Sequence, residues 1–190
     1  MRLQIDTKKQ ILDTAENLLL DRGYNGFSYR DISRALNIKN ASIHYHFPQK
    51  TDLGVAIIQR SRKRFEKWAR LMESQEICYS DQLTNYCLIF KKFVDHGQQI
   101  CLGGALETDF KTLSQEMQNE TRLFISTMHR WLENLLSEGK KKSEFKFTGL
   151  PKDHAILISC CLQGAIQNVR AATPSCFDSA MKGIMCITCT

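Results

Sequence analysis

The segment from Phe27 to Leu53 constrains the fold more than any other part of the chain. It reads FSYRDISRALNIKNASIHYHFPQKTDL, in which two short helical patterns are joined by a tight turn. Asn37 stands where the turn needs a left-handed residue, a conformation that asparagine adopts more readily than most. Ser28 can cap the first helix, and Pro48 ends the second. This layout is typical of a DNA-reading helix-turn-helix.

The apolar and polar residues of this segment fall on opposite sides. Five apolar residues can form a small shared core: Ile32, Leu36, Ile38, Ile43 and Phe47. A polar, basic and aromatic set is left to point outward: Arg30, Asn40, Ser42, His44, Tyr45 and Lys50. Such a surface suits phosphates and base edges.

The charge distribution agrees with DNA binding, because the net charge of +6 is not spread evenly. Residues 1–72 carry a net charge of +7 and the other 118 residues carry −1. A basic excess confined to the helix-turn-helix region is what phosphate binding by counterion release requires. A solvated charged face is the alternative interpretation.

Composition and length bound the class of protein. With 190 residues and 43% hydrophobic residues, the chain can bury a sizeable core. The N-terminus lacks the apolar region of a signal peptide, and the longest apolar stretch is far too short to span a membrane. We therefore expect a soluble cytoplasmic protein without membrane partners. In that compartment most of the eight cysteines should be free thiols.

Helical periodicity continues along the chain, and no convincing strand or repeat interrupts it. Thr7 is expected to cap a first helix that stops at Gly23, and a long linking helix is expected over residues 51–74. Gly97 and Gly139 are expected to act as breakers among the later helices, at about 81–96, 102–110, 114–138, 152–172 and 175–187. We predict an all-α fold with a DNA-binding domain over residues 1–50 and an effector-binding and dimerisation domain over 51–190.

The first quarter of the chain resembles the DNA-binding domain of the TetR (tetracycline repressor) family. The likeness rests on a YxxxSxxDI pattern at Tyr24–Ile32 and on a second block, His44-Tyr45-His46-Phe47, followed by Lys50 and Leu53. The resemblance implies an all-helical homodimer that binds operator DNA and whose last two helices pair with those of the partner. It also implies a transcriptional regulator, most often a repressor, that responds to a small molecule and uses no cofactor.

By the same resemblance, the second helix of the helix-turn-helix is the reading helix, which supplies most of the DNA contacts. His44 replaces a tyrosine that is common in the family and that donates its hydroxyl to a phosphate, which leaves the role of His44 open. The implied base contacts are Arg30, Asn40, Ser42 and His44. The implied phosphate contacts are Tyr45, Lys50 and the amides of a helix that begins at Thr51. Lys39 is a further implied DNA contact.

A fainter likeness connects the second half with family members that sense electrophiles or oxidants through a cysteine. It rests on the segments Gly97–Leu102, Leu113–Met117 and Leu162–Ala165, with Cys101 at the sensor position. A sensor thiol needs a lowered pKa and access. The alternative is that Cys101 is a small buried hydrophobe.

Ligand binding without a covalent bond is the other possibility for the effector domain. Residues from Met117 to Leu135 repeat at spacings of four and three, which predicts one helix face. That face either packs in the core or lines a pocket, for which the candidates are Phe90, Phe124, Met128 and Trp131.

Two other functions are weighed against a regulator. A small helical enzyme would use Cys101 as nucleophile with His96 or His129 as base, although none of the common catalytic motifs is present. An architectural DNA-binding protein would have no effector. The pair Cys186 and Cys189 has the spacing of half a zinc site but lacks a second pair, so no metal is expected.

Overall fold

The computed structural model describes residues 6–95 and 99–189, and over those ranges it is helical without strands. The predicted all-α fold is confirmed. A short 3₁₀ turn, Phe110–Thr112, separates the sixth and seventh of its helices. In chain order the helices are α1 (Thr7–Arg22), α2 (Tyr29–Leu36), α3 (Asn40–His46), α4 (Lys50–Ser74), α5 (Tyr79–Asp95), α6 (Leu102–Thr108), α7 (Gln115–Lys141), α8 (Pro151–Ala171) and α9 (Ser175–Cys189).

Two local expectations are wrong and a third is not tested. Asp6, not Thr7, caps α1, since its side chain accepts the Lys9 amide at 3.1 Å. Gly139 does not break α7, because the helix continues to Lys141; a Cβ at Gly139 would lie 2.3 Å from the Phe145 ring, so close packing is the reason for this glycine. The predicted breaker Gly97 lies outside the described residues.

The chain forms two compact units. The first combines Met1–Arg62 with Leu102–Phe124, and the second combines Lys63–Cys101 with Ile125–Thr190. Each unit is therefore built from two chain segments. Both α4 and α7 have residues in each of the two units.

In the first unit, α1 packs against α2, α3 and α6 around a core of fully buried aliphatic side chains. Polar groups then tie α4 to its neighbours. The guanidinium of Arg60 binds Asp13 at 2.6 Å and the Leu12 carbonyl at 3.0 Å, and it also binds Glu16. On another side of α4, Gln59 donates to Glu120 of α7 at 3.0 Å. These half-buried polar contacts orient α4 within the unit.

In the second unit, α8 packs against α5 and α9. An aromatic cluster fills the space between the second half of α4, α5 and α7. Tyr86 stacks on Trp131 with ring centres 5.5 Å apart, and Trp131 meets Trp68 edge-on at 4.9 Å. Phe65 and Phe90 complete the cluster. Such rings bury a large apolar area and favour these tilted geometries.

Among the described residues, no helix combines the length and the apolar character that crossing a membrane requires.

Candidate DNA-binding site

The turn between α2 and α3 depends on Asn37, which has the left-handed conformation predicted for it (φ 51°). The Ile38 amide donates to the Ser33 carbonyl at 3.1 Å, so the turn closes the end of α2. Lys39 is extended, and α3 begins at Asn40. Ile32 and Ile43 are fully buried and hold the two helices together. The sequence pattern therefore fixes which face of α3 is free.

A capping box begins α2, as Ser28 predicts. The Ser28 amide and hydroxyl both donate to the Asp31 carboxylate, at 2.8 and 2.7 Å. Both hydrogen bonds lower the pKa of Asp31, and the bond from the hydroxyl has the larger effect. The box fixes the first turn of α2 and thereby the position of Arg30, which is exposed.

The predicted DNA-binding residues differ in exposure. Tyr45 is 84% exposed, which is exceptional for an aromatic side chain and leaves its ring and hydroxyl free to contact a ligand. Four others are exposed (Arg30, Lys39, Asn40 and His44), and three are half-buried (Ser42, Lys50 and Thr51). The structure thus leaves five of the eight predicted residues exposed and three half-buried.

His44 is held by the backbone that follows α3. Its Nδ1 lies 3.1 Å from the Pro48 carbonyl oxygen. Its ring meets the Tyr29 ring edge-on with centres 4.9 Å apart. The Tyr29 hydroxyl in turn donates to the Phe47 carbonyl at 2.8 Å. Two successive carbonyls therefore fix two rings beside the reading helix.

Lys50 has partners inside the protein. Its ammonium donates to the carbonyl oxygens of Tyr24, at 2.6 Å, and Phe27, and it lies 4.4 and 4.3 Å from the centres of their rings. Burial lowers the pKa of Lys50, while the charges of Asp109 and Asp31 oppose this shift. The structure assigns Lys50 a structural role, which is to hold the loop before α2 against the start of α4. Its contact with a phosphate stays a prediction.

The start of α4 is capped from within. The Gln49 amide donates to the Asp52 carboxylate at 2.8 Å, and the Asp52 amide donates to the Gln49 carbonyl at 3.0 Å. Thr51 hydrogen-bonds the side chain of Tyr24, whose pKa burial raises. A phosphate bound at this end of α4 would therefore lie close to the Asp52 carboxylate, and the amides at Thr51 remain predicted contacts.

Two residues near α3 were missed by the sequence patterns. The Lys8 ammonium lies 5.6 Å from the centre of the Phe47 ring, which brings a positive charge from α1 to the end of the reading helix. Tyr29 orients His44, as described above. Both contacts join residues far apart in the chain, so no spacing rule reveals them. A lysine in the first turn of α1 is the only available signal for the first.

The predicted effector residues lie in packed surroundings. Phe90 and Trp131 belong to the aromatic cluster and are 5% and 7% exposed. Phe124 is also buried and belongs to the first unit, while Met128 is half-buried in the second. For Phe90 and Trp131, the structure therefore favours the packed-core alternative over a ligand wall.

Cys101 is 5% exposed and is the last residue of its segment of the second unit. Nearby Cys87 is fully buried, and burial raises the pKa of its thiol to about 12. Cys78, Cys160 and Cys186 are exposed instead. Burial agrees with the packing alternative for Cys101, so a sensor role would require the site to open. The described residues contain no group of three side chains placed to bind a metal.

A groove of about 660 Å³ lies between α8 and α9 on the surface of the second unit. Three thiols line it, those of Cys160, Cys161 and Cys176. Ile156, Leu157 and Ile187 are 41 to 46% exposed on the same two helices.

Known proteins resemble this chain over the helix-turn-helix region and over most of its length. Residues 11–57 match the family model described as bacterial regulatory proteins, tetR family. The HTH-type transcriptional repressor NemR of Escherichia coli is 26% identical over 176 residues, which cover 91% of this chain and 87% of NemR. Its reduced form has a similar structure, with a TM-score of 0.81 at 22% identity over 97% of this chain and 98% of that one.

Two further solved structures are similar over almost the whole chain. A TetR-family transcriptional regulator from Agrobacterium tumefaciens is 26% identical with a TM-score of 0.91, covering 96% of this chain and 97% of that one. A TetR transcriptional regulator from Legionella pneumophila is 27% identical with a TM-score of 0.87, covering 99% and 100%.

Proposed function

We infer that this chain belongs to the TetR family of bacterial regulatory proteins and is a DNA-binding transcriptional regulator that represses its target genes until an effector releases it. The observation that carries this proposal is the α2–α3 helix-turn-helix, whose buried face is apolar and whose free face is polar and basic. The relatives are regulators too, and nothing observed favours an enzyme.

We assign DNA binding to residues 1–50 and effector binding and dimerisation to residues 51–190. The exposed side chains on and beside α3 supply the base contacts, and Tyr45 and Lys8 approach the phosphates. Lys50 and Thr51 support this surface from the start of α4, whatever contact each makes with DNA.

The occupant of the groove between α8 and α9 is a second copy of the chain. Exposed apolar side chains follow one face of α8 at helical spacing, beginning with Ile156 and Leu157 and passing Cys160 and Gly164. A Cβ at Gly164 would meet nothing within 4 Å, so this face is open at its centre. A symmetric dimer would cover it and would present two reading helices to DNA sites one helical turn, about 34 Å, apart.

The effector acts at or near Cys101. A thiolate there would add to an electrophile such as a quinone: a carbon–sulfur bond forms, the electron pair of the attacked double bond moves through the conjugated system onto the carbonyl oxygen, and solvent supplies the proton. Cys101 is buried and stands at the end of its segment of the second unit, so an adduct would not fit the closed packing. The effector favours a conformation that binds DNA less well. The affinity for DNA therefore falls by the ratio of the effector's affinities for the two conformations.

The test combines DNA protection with release. We expect the purified protein to protect an inverted repeat beside its own gene, with half-site centres about 10 base pairs apart. A quinone at limiting concentration should label Cys101 and release the DNA, and Cys101→Ser should stay bound. Cys87, which is also buried, is the matched control and should remain unlabelled.

Each failure has its own meaning. Binding without sequence preference would indicate an architectural protein. Release of Cys101→Ser by the same quinone would indicate that Cys101 fills space and that another site takes the effector.

A further inference from the structure

The ring of His44 is oriented before any DNA arrives. Its Nδ1 lies 3.1 Å from the Pro48 carbonyl oxygen, and the edge of Tyr29 packs against the ring. A carbonyl oxygen can only accept a hydrogen bond, so Nδ1 must carry the proton and donate it. The side chain nevertheless remains exposed on α3, with its other nitrogen, Nε2, not used in that bond.

The bond to Pro48 fixes what Nε2 can do. A neutral imidazole carries one proton, and here that proton is on Nδ1, so Nε2 is an acceptor. Phosphate oxygens are acceptors as well, so they cannot form a hydrogen bond with an unprotonated Nε2. In the major groove, the donors are the exocyclic amino groups of adenine (N6) and cytosine (N4).

We propose that neutral His44 reads one amino group of adenine or cytosine in each operator half-site through Nε2. The proposal rests on the DNA-binding function inferred above and adds the chemical group that this position recognises. It also separates His44 from the other predicted contacts. Arginine, lysine, asparagine, serine, tyrosine and threonine side chains can all donate a hydrogen bond to DNA, whereas neutral His44 in this orientation only accepts one.

Two substitutions separate reading from anchoring. His44→Asn keeps an amide nitrogen as many bonds from Cβ as Nδ1 is, so it retains a donor for the Pro48 carbonyl. Its remaining acceptor, Oδ1, is one bond closer to Cβ than Nε2 is and therefore falls short of the base that Nε2 reaches. His44→Arg supplies donors in place of the acceptor, which suit guanine O6 and N7.

The experiment is selection of binding sites from a randomised duplex library by the full-length protein at pH 8. Competition titrations on single base-pair variants of the selected site follow. We expect the parent protein to prefer adenine or cytosine at one position of each half-site by roughly fivefold, as one neutral hydrogen bond predicts. His44→Asn should lose the preference at that position alone and keep the parent melting temperature. His44→Arg should move the preference to guanine.

Other results would overturn the proposal. A His44→Asn protein that keeps every base preference would show that another residue reads the position. If His44→Asn weakened binding to all sequences equally and reduced the slope of log affinity against log salt by about one, His44 would be a charged phosphate contact. Failure of the parent protein to select any site would count against the proposed function itself, before His44 is considered.

Discussion

The two compact units use different means to hold their helices and leave different surfaces free. In the first, polar groups fix the helices: Arg60 binds two carboxylates and Lys50 binds two carbonyls. In the second, aromatic rings do so, and the surface between α8 and α9 keeps an apolar groove with three lining thiols. The comparison teaches where specificity and assembly reside. Directional polar contacts position a reading surface, while non-directional apolar area supports association.

The largest expected effect is on assembly. Gly164→Glu should leave the fold intact, because a Cβ there meets nothing within 4 Å, but it places a charge in the apolar groove. We expect a monomer by sedimentation and at least about a hundredfold weaker operator binding, since two half-sites are no longer held together. Gly164→Ala is the control and should remain a dimer. If Gly164→Glu remained a dimer, the groove would not be part of the dimer interface.

The second effect is on the stability of the first unit. Arg60 is 19% exposed and binds Asp13 and Glu16, so Arg60→Ala removes one positive charge from two neighbouring carboxylates. We expect a loss of about 2 kcal/mol, seen as a lower midpoint in urea unfolding. Arg22 forms an exposed pair with Asp21, and Arg22→Ala should change the midpoint little. Equal effects of the two substitutions would contradict the importance of the half-buried pairs.

The substitution Lys50→Ala tests whether Lys50 has a structural role alone or also contacts DNA. Loss of its two carbonyl partners should cost about 1 kcal/mol of unfolding free energy. If Lys50 is purely structural, the salt dependence of DNA binding stays the same; if it also reaches a phosphate, the slope of log affinity against log salt falls by about one. Lys39, exposed at the start of α3, is the matched comparison for a DNA-contacting lysine.

The smallest effect concerns pH and the second unit. His154 stacks on Phe147 with ring centres 4.2 Å apart and shares a 3.1 Å hydrogen bond with Thr188. Burial, with a smaller effect of Lys140, lowers the pKa of His154 below 6.5. The folded state therefore binds fewer protons than the unfolded state, so stability is retained above about pH 6.5 and lost as the pH falls toward the lowered pKa.

We expect the melting temperature to fall by roughly 2 °C more between pH 7.5 and 5.5 in the parent than in His154→Gln. His129, whose pKa burial also lowers, titrates in both proteins and so cancels in the difference. An identical pH dependence in the two proteins would show that His154 does not contribute.

Sequence patterns predicted the helix-turn-helix closely because its determinants are local. A capping serine, a left-handed asparagine and a proline act within a few residues, and the structure confirms α2 and the turn where they indicate. The orientation of Lys50 was not predictable in this way, since its partners are carbonyls of a loop in a preceding part of the chain.

The second unit shows the same limit. Helical spacing identified Trp131 as a residue of an apolar face, but it did not reveal what lies opposite. Tyr86 and Phe65 occupy that space, and their positions follow from packing between helices that are distant in sequence. A ligand wall and a filled core have the same pattern on one helix, so only the tertiary structure separates them.

The discontinuous build of the first unit limits how regulators of this kind can be recombined. Asn25, in the loop before α2, donates its side-chain amide to Thr112 at 2.7 Å and its backbone amide to Asp109 at 3.3 Å. A chimera joined at residue 50 or 62 would carry the reading helix without these two partners. Exchange of DNA specificity between relatives should therefore succeed by grafting the surface of α3, or by moving residues 102–124 together with the N-terminal segment.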